Sequence, residues 1–142
     1  MKRITAVTCS VIAMLTTVSG AMAQAGVVRA TIPFDFTVEN RSLPAGTYEI
    51  TRSLPLSNVI KIQNALDRHF TTYVVTIPNG PESRDKSVLA FEKYGNRYFL
   101  HEVFGPGAIN VHLFASKEER QIRQQTVELK LNDPQPIAIA GK

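Results

Sequence analysis

The chain has 142 residues, one cysteine, no tryptophan and a formal net charge of +4. That length accommodates one ordinary domain with a real core. The 16 basic residues against 12 acids form no basic block, which argues against a nucleic-acid partner.

The first segment reads as a secretory signal peptide with the cut after Ala23. Lys2 and Arg3 form a basic start, Ile4 to Val18 is uncharged and largely apolar, and Ala21-Met22-Ala23 offers small residues at the cleavage positions. The apolar run falls short of the roughly 20 residues that span a bilayer, so a retained anchor is the weaker reading. Cys9 lies inside the run rather than at a lipobox, so lipidation is not expected. Without Lys2 and Arg3, 14 basic residues face 12 acids, and the mature charge is +2. Cys9 leaves with the leader. The mature domain is therefore expected to hold its fold by burial alone, without disulfide, thiol chemistry or Cys-based metal site. The expected location is the periplasm or the exterior, with no transmembrane segment after cleavage.

Downstream, apolar residues recur mostly at every second position, the pattern of half-buried strands. Ile32, Phe34, Phe36 and Val38 alternate with polar neighbours, with Val27 to Thr31 leading in. Pro33, lacking an N–H, predicts an edge or a break there. "NRSLPAG" supplies turn chemistry through Pro44 and Gly46. Tyr48 and Ile50 restart the alternation. Strands are predicted over 58–64 and 69–77, joined by a hairpin loop at "ALD", and a solvated loop over 78–85.

"SVLAFEKYGNRYFLHEVF" predicts the central hairpin, turning at Gly95-Asn96. That turn sets Tyr94 opposite Arg97, Glu92 opposite Phe99 and Phe91 opposite Leu100. One face then carries Leu89, Phe91, Tyr98, Leu100 and Phe104. The other carries Val88, Ala90, Glu92, Tyr94, Arg97, Phe99, His101 and Val103, and is apolar enough to be partly covered. "GPGA" breaks the pattern at 105–108. Ser116 and Glu119 fit a capping box, predicting a charged surface helix from 117 to about 124. "TVELKL" reads as the last strand and residues 133–142 as a flexible tail. The sum is one all-β domain over 24–132. It is an antiparallel barrel or sandwich of seven to eight strands, mostly meandering, with one short surface helix near the C-terminus.

The segments "IPFDFTV", "LPAGTYEI", "YGNRYFLHEVF" and "SKEER", taken together and in this order, resemble a family of small exported proteins of soil bacteria. The resemblance covers most of the mature chain. It implies export and a β-rich fold and assigns no activity. The shorter pattern Leu43, Gly46, Tyr48, Ile50 is similar to a strand-opening pattern of transthyretin-like sandwich domains, which often serve as structural or binding modules.

Chemistry has few anchors in this sequence. His69, His101 and His112 lie on separate segments, and "HEVFG" has Gly105 where a zinc-protease motif needs its second histidine. A metal site would have to assemble in space, with Glu92 or Glu102 as carboxylate ligand. The simpler reading pairs His101 with Glu92 across the hairpin diagonal. No G-x-S-x-G or S-x-x-K arrangement occurs, and one glycine in "YGNRY" makes no phosphate loop. Asp35 and Glu39 share a solvated strand face, which gives neither the desolvation acid–base work requires. No catalytic, metal or cofactor residue is assigned.

The possible ligand or interface residues are Phe91, Tyr94, Tyr98, Phe99, His101 and Phe104. They would line an apolar cavity if the sheet closes, or meet another subunit if it does not. The leading expectation is a non-enzymatic exported β-domain with a structural or protein-binding role, its partner an envelope protein or a second copy. The alternative is a small barrel holding an apolar molecule.

Overall fold

The computed structural model describes residues 26–53, 58–80, 86–106, 109–128 and 135–141. The predicted signal peptide and residues 129–134 lie outside them. The first half of the chain forms β1 (Val27–Ile32), β2 (Phe36–Val38), β3 (Arg41–Leu43), β4 (Gly46–Arg52), β5 (Val59–Asn64) and β6 (Thr71–Pro78), with burial alternating along β1, β5 and most of β6. These are followed by β7 (Val88–Tyr94), β8 (Arg97–Gly105), β9 (Ile109–Leu113), the helix α1 (Lys117–Glu128) and β10 (Gln135–Ala140).

The all-β class holds, with ten strands among the described residues in place of seven or eight. The main path runs β1-β4-β5-β6-β9-β8-β7-β10 through antiparallel ladders. The β2–β3 hairpin joins β8 through a parallel bridge between Thr37 and Phe99, so the sheet is mixed. Among the described residues the path does not close on itself into a barrel. β6 serves both halves: Thr71 to Val75 pair with β5, and Thr76 to Pro78 pair with β9. Both halves bury their inner faces in one core, which includes Val28, Ile50, Ile62, Leu89, Phe91, Val103 and Val111.

Four expectations are corrected. The run from Ile32 to Val38 is two strands where one was expected, and it parts after Ile32 at the break that Pro33 predicts. Phe34 still packs on the core from the break. The turn expected over 40–46 is tighter than that: Glu39 takes a positive φ of 51°, and Arg41–Leu43 already pairs with β2. The stretch read as a flexible tail contains β10, which pairs with β7 along its whole length. Ile137 and Ile139 turn toward the core, and Pro136 is tolerated because no described strand pairs with the far side of β10. The helix also runs through Thr126–Glu128, where a last strand was expected.

Tyr48 explains much of "LPAGTYEI". It is fully buried, and its hydroxyl donates to the Pro44 carbonyl at 2.8 Å. This is the geometry of a tyrosine corner, in which a phenol ties down the chain a few residues upstream. Burial raises the hydroxyl above the ordinary tyrosine value, with the charges of Asp35 and Asp67 adding and a hydrogen bond to Asn64 opposing, so it stays a donor. Asp35 accepts from the Ala45 N–H at 2.8 Å and pins the same turn from the other side. Tyr48→Phe is expected to cost about 1–2 kcal/mol, since it strands a carbonyl without leaving a large cavity. An unchanged urea midpoint would remove this role.

The first and last strands come together without pairing. Gly105 on β8 lies so close to Val28 that a Cβ there would sit 2.1 Å from the Val28 methyl. Gly141, just past β10, donates its N–H to Ser87 at 2.8 Å. A Cβ on Gly141 would fall 3.0 Å from the Arg29 carbonyl. The sheet thus curls until its two ends touch across two glycines.

Candidate functional site

The β7–β8 hairpin has the register that its turn dictates: Tyr94 opposite Arg97, Glu92 opposite Phe99, Phe91 opposite Leu100. Gly95 supplies the left-handed conformation, with φ of 59°. Beyond Leu100 the ladder slips by one, and Ala90 pairs with Glu102. His101 is the extra residue of this β-bulge. A one-residue slip exchanges faces, so Val103, not Phe104, enters the core.

The six candidate residues therefore separate. Phe91 is fully buried on the inner side, edge-on to Phe34 at 5.3 Å and to Phe36 at 5.6 Å. Tyr98 stacks on Phe34 at 3.9 Å. These rings pack against one another on the inner side. Tyr94 and Phe99 meet at 5.8 Å on the outer side, both buried although the sheet's core is on the other face. Phe104 is half-buried farther along the outer side, opposite Val88. An open hollow beside α1, lined by Arg120, Arg123, Gln124, Val127 and Glu128, includes none of the six.

His101 organises the outer side. α1 starts as its sequence predicts, with Ser116 Oγ accepting from the Glu119 N–H at 3.0 Å. The Glu119 side chain does not complete the box. It turns inward and contacts His101 Nε2, and it is the buried residue of an otherwise solvated helix. The expected diagonal partner is also present: Glu92 Oε2 lies 3.7 Å from the same Nε2. Tyr94 donates to Glu92 Oε2 at 2.6 Å. Behind them, the His112 ring stands 5.8 Å from the His101 ring, and His112 Nδ1 lies 3.6 Å from Glu102. Arg97 bridges to Glu118 at 2.6 Å near the rim.

Burial pulls the His101 pKa down, but the hydrogen bond to Glu119 and the charges of Glu119, Glu92 and Glu102 together hold it above the usual histidine value. Tyr94 is pushed up, first by burial and then by its bond to Glu92 and the charges of Glu92 and Glu119, against a smaller opposing effect of Arg123. The arrangement can share a proton between two carboxylates and one imidazole. It also presents three donor atoms, from Glu92, His101 and Glu119, that all lie within 4.8 Å of one another. Of the two carboxylates expected beside His101, Glu92 belongs to this group and Glu102 to His112. Glu119 is the member that sequence reasoning assigned elsewhere.

Comparison with protein-family models, with curated proteins and with solved structures found no match for this chain. Among the described residues, no helix is long and apolar enough to cross a membrane.

Proposed function

We propose that the mature chain is an exported, non-enzymatic β-domain that binds a protein partner at the cell envelope. The supporting observation is the outer side of β6. Tyr73, Val75 and Ile77 alternate along it, 61%, 48% and 43% exposed, while Thr72, Val74 and Thr76 face inward and are buried. Val59 stands beside Val75 and Lys61 beside Tyr73 on the neighbouring strand, so the apolar stripe continues sideways and ends in a cation. A soluble fold gains nothing from three exposed large apolar residues on one strand, and such stripes fit partner surfaces of apolar centre and polar rim. A barrel holding an apolar ligand has less support, because the sheet is open and the central rings pack on each other.

The test is the double substitution Tyr73→Lys, Val75→Glu. Both positions are exposed, so the urea midpoint should shift by no more than about 0.5–1 kcal/mol equivalent. In-cell cross-linking from position 77 should yield a defined adduct with the wild type and lose it with the variant. Should the partner be a second copy, the adduct has twice the chain mass and sedimentation follows it. An adduct unchanged by the double substitution sinks the proposal.

A further inference from the structure

Glu92, His101 and Glu119 come from three elements of the fold: β7, the bulge of β8 and the first turn of α1. The ion pairs of both carboxylates run to the same imidazole nitrogen. Even with His101 protonated, the trio carries one more negative charge than positive. Glu119 and His101 are largely withdrawn from water, with side chains 5% and 13% exposed. An excess anion in such surroundings is costly unless something compensates it. Glu102 and His112 stand just behind, and Arg123 is the cation whose charge is felt at Tyr94.

We propose that Glu92, His101 and Glu119 form a binding site for a divalent transition-metal ion, with Zn²⁺ as its best-suited occupant. Zinc takes imidazole nitrogen and carboxylate oxygen at about 2.0–2.2 Å. Ligand atoms around one ion then stand roughly 3–4 Å apart. Three donors within 4.8 Å of one another, two of them 3.7 Å apart, are near that spacing before any ion is added. Glu92 is the most exposed of the three and has the freedom to close the set. Its bond from the Tyr94 hydroxyl is the kind of outer contact that orients a metal-bound carboxylate. One imidazole with two carboxylates suits Zn²⁺ better than Ca²⁺, which prefers six to eight oxygens. Two carboxylates, a neutral imidazole and a dication sum to zero, which cancels the negative excess that the protein's own groups leave. The ion also ties α1 to the hairpin, since its ligands come from both, so its role is to fasten the helix.

The test uses the mature chain, stripped with chelator and titrated calorimetrically with ZnCl₂. One ion per chain is expected, with a rise in Tm and, on substituting Co²⁺, visible absorption bands of low coordination number. Glu92→Gln and His101→Gln should each weaken Zn²⁺ binding by at least about tenfold. His69→Ala, at a histidine outside the group, should leave it unchanged. Circular dichroism checks that each variant is folded, and Glu92→Gln decides the matter if His101→Gln is not. No saturable Zn²⁺ uptake by the wild type, or uptake equal in Glu92→Gln, overturns the proposal.

Discussion

Phe91→Ala should destabilise the protein by about 3–5 kcal/mol. The side chain has no exposed surface. Its ring is met edge-on by Phe34 and Phe36, Leu100 stands across from it on β8, and Ile137 of β10 is its partner on the other side. These neighbours belong to the paired strands and to the break that holds Phe34 between β1 and β2, so the space left by the ring cannot collapse cheaply. A domain of this size has a total stability on the order of 5–15 kcal/mol, so the loss is a large part of it. The chain has no tryptophan, so the measurement is urea unfolding followed by far-ultraviolet circular dichroism. The midpoint should fall with little change in slope. A loss under about 1 kcal/mol would mean that Phe91 borders empty space, and the ligand-holding alternative would regain support.

His101→Ala should cost about 3 kcal/mol in the presence of chelator, because it leaves the Glu119 carboxylate buried without its partner. His101→Leu combined with Glu119→Leu should recover most of that loss, since the anion disappears along with the cation. The pH dependence has a definite sign. The folded pKa of His101 lies above the unfolded value of 6.5. The stabilisation is therefore complete below about pH 6.5 and is lost as pH rises through the folded value. Urea midpoints of the metal-free wild type should decline across that window, and those of His101→Gln should be flat. A wild-type midpoint that rises with pH there would show that His101 is held neutral in the fold.

Where local chemistry decides geometry, the sequence was a good guide. The Gly95-Asn96 turn sets the hairpin register for its first four pairs, and Ser116 caps α1 as its spacing implies. It fails where the deciding partner is remote. Nothing in "FLHEVF" marks His101 as the extra residue, because a bulge is fixed by what both strands must pair with, so Phe104 took the place of Val103. β9 carries a clear alternation of Ile109, Val111 and Leu113, yet it is short and follows directly on "GPGA", which hid it. β10 was concealed by Pro136, which an edge strand tolerates. "TVEL" has strand-like alternation, but a helix already begun at Lys117 continues through Thr126, whose hydroxyl folds back on the Ile122 carbonyl. At the candidate site, Glu92 and His101 were paired correctly across the hairpin. Glu119 was not seen, because a glutamate at the third helical position has a sufficient local explanation as a cap. Its second partner becomes visible only when α1 is laid over the sheet.

The contact of Val28 with Gly105 and Gly141 has a consequence for the order of events during folding. Val28 sits near the start of the described chain and Gly141 at its end, so this closure spans nearly the whole domain. A chain emerging amino end first can pair β1 with β4 early, but the packing of Val28 against Gly141 waits until β10 is free. During that wait the edge of β7 that β10 will cover stays unpaired, and open strand edges are templates for association with other chains. Non-local closure of this kind slows folding relative to closure by local contacts. It also makes β10, which resembles part of a dispensable tail on paper, the strand that completes the edge of β7.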